Sequence, residues 1–195
     1  MENAWDLPVG YTQLQYIEST GTQYINTGIV ANAGTIIEAI AQGTGDRGIV
    51  YGFDQDWSAT GIIDGGTKFY TGGASIVHNQ EKVKMWTSFW NDPNQNGRHV
   101  ATVRFNDGDS VIANGPTNRQ YGTITVFYGN NWTDANSWWY GRIYTLKIWQ
   151  NDVLVRDFVP AKNPDGKIGM YDKVNGVFYE NQGTGEFIAG DPVAE

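Results

Sequence analysis

The carboxylates of this sequence could serve glycoside hydrolysis, a reaction that needs two of them roughly 5–10 Å apart. On one face of a strand, this spacing arises between residues i and i+2. Asp54 and Asp56 have that spacing, but they lie in a loop-like stretch. Glu38 stands alone in an isoleucine-rich segment, where we expect it to pair with an arginine or lysine at a sheet edge, and Asp64 stands alone before two glycines. A glycosidase built on Glu38 would therefore need a second carboxylate from elsewhere in the chain.

Other catalytic groups are equally sparse. The chain contains no cysteine, which excludes disulfides, thiolate nucleophiles and cysteine-ligated zinc. No G-x-S-x-G motif is present, and the two histidines, His78 and His99, lie near no obvious nucleophile in the sequence. Two isolated histidines are also too few for a transition-metal cage. We expect the protein not to be an enzyme.

Residues 43–48 match the G-x-G-x-x-G pattern of dinucleotide-binding proteins. That pattern binds pyrophosphate only where a helix begins directly after the glycines. Here a β-like run occupies residues 49–53, and no helical periodicity follows it. The stretch therefore predicts a turn between two strands and no nucleotide cofactor.

Calcium is the metal that the sequence leaves open, because it takes oxygen ligands from Asp, Asn and backbone carbonyls in loops. The candidate ligands form three loop-like clusters: Asp54 with Asp56, Asp107 with Asp109, and Asp134 with Asn130 and Asn131. The alternative is that these residues form Asx turns at strand ends. The sequence does not decide between a calcium site and capped turns.

Aromatic residues are abundant, with eight Trp, eleven Tyr and eight Phe. Many of these rings must fill the core, but several lie beside loop signals. Sugar rings present apolar C–H faces that stack on such side chains, while neighbouring amides and carboxylates bind the hydroxyl groups. The candidate glycan-binding residues at a loop rim are Trp57, Trp90, Trp132, Trp138, Asn130 and Asn131. We expect Trp57 and Trp132 to be exposed, and Trp138 and Trp139 to point to opposite sides of an extended chain.

Charge and hydropathy narrow the range of partners. The chain of 195 residues has a net charge of −8 and a pI of about 4.6, so on average DNA and RNA would repel it. Its first residues show no signal peptide, and no stretch is long enough to span a bilayer. We expect no nucleic acid partner and no membrane insertion. The chain is then an excised domain, a protein not exported by that route, or a protein carried by a phage particle.

The clearest structural signal is a β-hairpin around residues 140–160. Alternation in its first strand predicts one set of side chains facing the core and another facing solvent. The core set is Tyr144, Leu146 and Ile148, and the solvent set is Thr145, Lys147 and Trp149. Asn151 and Asp152 tolerate positive φ and predict a two-residue turn. Pro160 lacks a backbone N–H, and we expect it to end the second strand.

Short β-like runs separated by turn signals recur along the rest of the chain, and no helical pattern is evident. Roughly a dozen strands at this spacing predict an all-β protein with two packed antiparallel sheets. No linker or internal repeat divides it. We expect an N-terminal lead-in over residues 1–10, one β-sandwich domain over residues 11–183, and a glycine-rich, peripheral C-terminal tail over residues 184–195.

Two stretches, residues 7–28 and residues 141–172, resemble the LamG-like branch of the concanavalin A-like lectin/glucanase superfamily. The first reads LPVGYTQLQYIESTGTQYINTG, and the second includes GRIYTLKI, LVRDFVP and GMYD. Proteins with such stretches occur among phage tail and virion proteins and surface proteins of gut bacteria. The resemblance implies a jelly-roll β-sandwich with one concave and one convex sheet. It also implies ligand sites at a loop rim or on the concave face, and in many such domains a calcium ion at a rim loop.

The favoured hypothesis is a non-catalytic, lectin-like domain that binds a cell-surface glycan or polysaccharide. Its expected setting is a phage virion or tail, or a bacterial surface where it serves adhesion. One alternative is a structural or protein-interaction domain that contacts other virion proteins and binds no small ligand. The second alternative is the glycoside hydrolase that depends on Glu38.

Overall fold

The computed structural model describes residues 7–44, 47–53, 61–71, 74–92, 98–114, 121–130 and 136–194. Every regular element in this part of the chain is a β-strand, which confirms the all-β class. Residues 47–53 form a strand, so the glycine pattern before them leads into no helix, as expected. None of the described segments forms a helix that could cross a membrane.

The strands are numbered in chain order. They are β1 (Thr12–Gln13), β2 (Ile17–Thr20), β3 (Ile25–Val30), β4 (Thr35–Gly43), β5 (Arg47–Phe53), β6 (Ile62–Gly65), β7 (Lys68–Thr71), β8 (Ala74–Val77), β9 (Val83–Asp92), β10 (Arg98–Phe105), β11 (Val111–Asn114), β12 (Thr123–Val126), β13 (Tyr128–Asn130), β14 (Asn136–Trp138), β15 (Tyr140–Gln150), β16 (Val153–Lys162), β17 (Ile168–Asp172), β18 (Val177–Glu180) and β19 (Ile188–Ala189).

The strands form two large antiparallel sheets and a two-stranded ribbon. The larger sheet has the order β11-β10-β9-β4-β15-β16-β17-β18, with β1 beside β16, β2 beside β15, and β19 beside β2. The smaller sheet has the order β3-β12-β5-β6-β7-β8, and β13 pairs with β14 in the ribbon. The long strands β4, β9 and β15 therefore lie in the middle of the larger sheet.

The two large sheets enclose a common apolar core, as in a β-sandwich. Strand β4 illustrates the pattern, because alternate residues from Thr35 to Gly43 are buried and those between them are half-buried. Across the core, Thr87 of β9 and Tyr51 of β5 share a hydrogen bond of 2.7 Å between their hydroxyl oxygens. The face of the larger sheet that carries Thr87 is therefore the inner face, and the opposite face is the outer one.

The predicted hairpin is present, but its register contains a bulge. Asn151 and Asp152 have φ values of 50° and 65°, as a two-residue turn requires. Leu146 and Ile148 are buried as expected, whereas Tyr144 is half-buried and Ile143 lies in the core instead. The pairing of β15 with β4 shifts between Ile143 and Thr145, and this bulge reverses the side-chain alternation. The prediction that Tyr144 faces the core is therefore wrong.

Pro160 does not end its strand, which continues to Lys162. At this point β16 exchanges its neighbour β15 for the short strand β1, and the Leu14 N–H donates to the Pro160 carbonyl at 2.9 Å. A proline is tolerated there because its missing N–H falls at an interruption of the ladder. The prediction failed because the change of partner is not visible in the sequence.

Residues 184–194, which we expected to be peripheral, pack against the sandwich. The Thr184 N–H donates to the Thr22 carbonyl at 3.0 Å, and β19 pairs with β2. Phe187 is 4% exposed, and its ring centroid lies 5.2 Å from that of Phe127 in the core. Burial of one aromatic ring therefore fixes a segment whose glycine content indicated a loose end.

Tyr51 makes the stability of the fold sensitive to alkaline pH. Burial raises the pKa of its phenol well above the ordinary value of 10, and the hydrogen bond with Thr87 opposes this in part. Burial also raises the pKa of Tyr121 to about 12. The unfolded chain releases these protons near pH 10 while the folded protein keeps them, so this stability is complete below pH 10 and declines above it.

We expect the fully buried phenol of Tyr51 to reduce the free energy of unfolding by up to about 1.4 kcal/mol per pH unit above pH 10, and the half-buried phenol of Tyr121 to reduce it by less. The Tyr51→Phe variant should lose less stability with rising pH than the unmodified protein, with Tyr121→Phe as its comparison. Urea unfolding curves recorded at several pH values from 9 upward measure both slopes. Identical slopes for the Tyr51→Phe variant and the unmodified protein would contradict the assignment.

Candidate functional site

Several residues that the sequence nominated lie outside the part of the chain that the structure describes. These are Trp57, Trp132 and Asn131 among the glycan-binding candidates, and Asp54, Asp56 and Asp134 among the calcium candidates. The predictions for them stay predictions. The described candidates are Trp90, Trp138 and Asn130 for the glycan, and Asp107 and Asp109 for calcium.

Trp138 belongs to a group of three rings at the ribbon. Its ring centroid lies 4.8 Å from that of Tyr128 and 5.7 Å from that of Tyr24, and all three side chains are half-buried. The neighbouring Trp139 is fully buried, so the two tryptophans point to opposite sides as expected. Asn130 ends β13 and pairs with Asn136 in the ribbon. Trp138 is therefore packed mainly against other rings of its own chain.

Trp90 lies elsewhere, on the outer face of the larger sheet. Trp86 precedes it by four residues on the same strand and has the same half-buried environment. Trp149 joins them on the outer face, because it pairs with Ile36 of β4, which in turn pairs with Ser88 of β9. The structure thus brings together three partly exposed indoles from two strands that are separated by β4. Of the three, only Trp90 was nominated from the sequence.

We call this surface the tryptophan face. Its side chains form rows that cross the strands of the sheet. One row contains Arg104, Trp86, Glu38, Lys147 and Asp157; the next contains Thr102, Ser88, Ile36, Trp149 and Leu154; beyond these lie Val100 with Trp90 on one side, and Lys84 with Ile40 and Thr145 on the other. Aromatic rings therefore alternate with charged, hydroxyl and aliphatic side chains.

The geometry of a sheet fixes the spacing of the three indoles. Trp86 and Trp90 are four residues apart on one strand, which separates their backbones by about 13 Å. Trp149 lies two strands away, a sideways distance of about 10 Å, at the level of Ser88 between them. One monosaccharide ring cannot stack on indoles so far apart. The spacing suits an extended chain of rings.

The other end of the same outer face is covered by the chain itself. There Val159, Ala161 and Tyr171 are buried, and the N-terminal segment packs over them through Leu7 and Tyr11. The ring of Tyr11 meets the Tyr171 ring edge-on, with their centroids 5.2 Å apart. In contrast, the indoles of the tryptophan face remain partly exposed.

Ion pairs and hydrogen bonds order the polar groups of the face. The Lys84 Nζ lies 2.9 Å from Glu38 Oε2, and the Lys147 Nζ lies 3.7 Å from Asp157 Oδ2. The Trp90 indole N–H donates to the Thr102 hydroxyl at 3.2 Å. Glu38 therefore has the lysine partner that we predicted, but its strand is central in the sheet and not at an edge. Each lysine meets a carboxylate of the strand next to its own, and sequence alternation alone could not predict which strands are neighbours.

A second aromatic and cationic group adjoins the face beyond Lys84. Tyr144, turned outward by the bulge, lies under the ammonium of Lys82, 4.0 Å from ring centroid to nitrogen. Next to it, Arg142 bonds Glu18 at 2.6 Å and lies 4.4 Å from the ring centroid of Tyr16. The hydrogen bond to Glu18 raises the pKa of Arg142, and burial raises that of Tyr144. Aromatic rings on the outer face of the larger sheet therefore continue beyond the tryptophan face, at Tyr144 and Tyr16.

Two carboxylates, Glu38 and Asp157, share one row of the face. Their strands β4 and β16 flank β15, so their backbones are about 10 Å apart. Lys147 stands between them, and each carboxylate has a lysine ammonium within 4.0 Å. A glycosidase must keep one of its two carboxyl groups protonated as the acid. Both carboxylates have the ion-pair partners of structural residues, and hydrolysis depending on Glu38 stays an untested alternative.

Calcium binding also stays a prediction. Asp107 and Asp109 lie in the exposed turn between β10 and β11, where Asn106 has a φ of 50°. Within the described ranges, no three His, Cys, Asp or Glu side chains are grouped so that they could hold a metal ion. Asp107 and Asp109 would therefore need further oxygen ligands, such as backbone carbonyls or water, to form a calcium site.

His78 and Asp64 form a buried contact that could be mistaken for catalytic. Asp64 accepts hydrogen bonds from His78 Nε2 at 3.0 Å, from the Trp139 indole at 2.9 Å and from the Gly66 backbone at 2.7 Å. His78 Nδ1 accepts the Gln80 N–H at 2.9 Å, which places the ring proton on Nε2. Asp64 and His78 are 0% and 1% exposed, so substrate cannot reach them. Their role is to tie loops and strands together.

Comparisons with known proteins identify no relative from which a function could be inferred. No protein-family model matches the chain, and a search of curated proteins finds no match.

Proposed function

We propose that this protein is a non-catalytic, carbohydrate-binding domain and that the tryptophan face is its binding surface. The observation that carries the proposal is the set of three partly exposed indoles on one face of the larger sheet, interleaved with polar side chains. Large apolar rings on a protein surface mark interaction sites. An array of hydroxyl, carboxylate and cationic groups between them suits a ligand that is both ring-shaped and polar.

The spacing of the indoles favours an oligosaccharide over a single sugar. Stacking would use the C–H faces of separate sugar rings on Trp86, Trp90 and Trp149, about 10–13 Å apart. Between the rings, Ser88 and Thr102 offer hydroxyl groups, and Glu38 and Lys147 offer charged partners for sugar hydroxyls. Strands support these side chains, so little conformational freedom is lost on binding, and this favours affinity.

A glycan array, followed by titration of tryptophan fluorescence with the polysaccharides that bind, tests the proposal. We expect saturable binding of at least one polysaccharide and a change of indole emission, because the rings become covered. The same mixtures, assayed for reducing ends, should show no sugar release. An array of bacterial and other surface glycans with no binder would count against the proposal, and release of reducing sugar would favour the hydrolase.

A second candidate function is a docking surface for another protein, such as a neighbouring virion protein. It is favoured by the aliphatic side chains Ile36, Ile40 and Leu154 on the tryptophan face and by Ile112 on strand β11, which is 55% exposed. Light scattering separates the two proposals. Self-association that is lost in a Trp86→Ala variant would support protein docking.

We further propose that the sandwich is a LamG-like jelly roll that serves adhesion on a virion, phage tail or bacterial surface. The support is the sequence resemblance together with the all-β sandwich of antiparallel sheets. Recognition of host or neighbouring-cell glycans would be its task there.

A further inference from the structure

We infer that the glycan bound by the tryptophan face is an anionic polysaccharide, and that Arg104 and Lys82 select its negative charge. This inference rests on the proposed carbohydrate-binding function and specifies the class of ligand. It follows from the pairing of charges on and beside the face, which leaves two cations over aromatic rings without a carboxylate partner in the described part of the chain.

Four of the six cations in this region contact three carboxylates. Lys84 pairs with Glu38, Arg142 bonds Glu18 at 2.6 Å, and Lys147 and Lys173 share Asp157 at 3.7 and 3.3 Å. Each of these four cations therefore has a carboxylate partner. Glu38 and Asp157 are the acidic side chains in the described rows of the face, and both have lysine partners.

Arg104 and Lys82 have ring faces as their partners instead. The guanidinium carbon of Arg104 lies 5.3 Å from the centroid of the Trp86 ring, and the Lys82 nitrogen lies 4.0 Å from the centroid of Tyr144. No described carboxylate forms an ion pair with either side chain. A cation–π contact leaves the charge unneutralised and positions its outward N–H donors.

The position of the two cations suits a repeating anionic chain. Arg104 pairs with Trp86 across the strands, whereas Lys82 lies four residues before Trp86 in the sequence and contacts Tyr144. The two charges therefore lie at separate points along the face. A sugar stacked on Trp86 would bring a carboxylate or sulfate at its rim within reach of the guanidinium. A second anionic group farther along the chain would meet Lys82.

The charge of the whole protein limits the choice of polyanion. The chain carries −8, so it repels a polymer with one charge per short repeat, such as nucleic acid, over most of its surface. Two unpaired cations are enough for a polysaccharide that bears an acidic group on some of its rings. They are few for a phosphate backbone, whose binding by counterion release needs many contacts.

The experiment compares polysaccharides that carry an acidic group on only some of their rings with neutral counterparts that keep the same sugar rings. Partly methyl-esterified polygalacturonate and alginate supply carboxylates and are compared with the fully esterified polymers, and lightly sulfated dextran supplies sulfates and is compared with dextran. Calorimetry at low and at high salt should show at least one acidic polymer binding about tenfold more tightly than its neutral counterpart at low salt, with the ratio falling as salt rises. A preference between carboxylate and sulfate identifies the anionic group, and either supports the inference.

Variants of the two cations locate the selectivity. Arg104→Gln and Lys82→Gln should each reduce the acid-to-ester affinity ratio several-fold, and Arg104→Lys should restore part of it. Lys162→Gln removes the same charge from an exposed lysine at the far end of β16 and should leave the ratio unchanged. Thermal melting of each variant verifies that the fold is intact.

The outcomes separate the inference from the proposed function. Equal affinity for acidic and esterified polymers would overturn the inference while leaving carbohydrate binding in place. An unchanged ratio in both Gln variants would overturn the assignment to Arg104 and Lys82. Binding of single-stranded oligothymidylate as tightly as of any polysaccharide would replace the inference with nucleic acid recognition, and no binding of any polysaccharide would defeat the proposed function itself.

Discussion

The Asp64→Ala variant should lose about 3–5 kcal/mol of folding free energy and melt roughly 6–20 °C lower than the unmodified protein. Asp64 is fully buried and accepts hydrogen bonds from His78, Trp139 and the Gly66 backbone. Its removal leaves two buried donors, on His78 and Trp139, without an acceptor and with their full desolvation cost, and the half-buried Gly66 N–H also loses its partner. Differential scanning calorimetry measures the loss.

The packing around Asp64 leaves no simple route to compensation. His78 cannot turn its other nitrogen toward a new partner without giving up the Gln80 N–H. Gly43 of the larger sheet packs against this pair. A Cβ added to Gly43 would collide with the Asp64 carboxylate and come 2.7 Å from the His78 ring. Gly43→Ala should therefore be destabilising as well, because the cluster has no room to shift.

Two comparison variants make the Asp64 prediction specific. Asp64→Asn keeps an oxygen acceptor but adds N–H donors, so its loss should be smaller than that of Asp64→Ala and still measurable. Asp107→Ala removes an exposed carboxylate in a turn and should change stability by less than about 0.5 kcal/mol. If Asp64→Ala melts within a degree of the Asp107→Ala variant, the buried network does not stabilise the fold.

The second large effect concerns the binding surface. Trp86→Ala and Trp149→Ala should each weaken binding of the selected polysaccharide about 30-fold, because truncation of a central tryptophan removes about 2 kcal/mol of binding free energy. The double variant should abolish detectable binding. Isothermal titration calorimetry with the best ligand from the glycan array measures these losses.

Trp138→Ala is the matched control for the tryptophan variants. Trp138 is also half-buried, but it packs against Tyr24 and Tyr128 at the ribbon, away from the outer face of the larger sheet. We expect this variant to lose some stability and to keep its affinity. A loss of binding confined to Trp138→Ala would transfer the site to the ribbon rim that the sequence nominated.

The hairpin shows which features of the fold can be predicted from the alternation of apolar residues and from the residue types in turns. Asn151 and Asp152 identify the turn, since they are residues that accept positive φ, and Leu146 and Ile148 are correctly placed in the core. The bulge at Tyr144 depends on the pairing of β15 with both β2 and β4, which is a tertiary event. Local sequence carries no signal for it, and the same holds for the partner change at Pro160.

The candidate site was less predictable than the fold, for a related reason. The sequence places Trp86 among the tryptophans beside loop signals and Trp149 on the solvent side of a strand, but it does not show that the two share a face with Trp90. Which face of a strand is outer, and which strands become neighbours, depends on sheet order. Alternation correctly predicts that Trp149 faces solvent. A search for other aromatic residues at solvent-facing strand positions could have identified the tryptophan face.

The most direct test of the account records the indole N–H signals of the eight tryptophans by NMR while the selected polysaccharide is added. The account predicts that the signals of Trp86, Trp90 and Trp149 shift and saturate together, while that of buried Trp139 stays in place. Binding that leaves these three signals unmoved, or that shifts only Trp138, would contradict it.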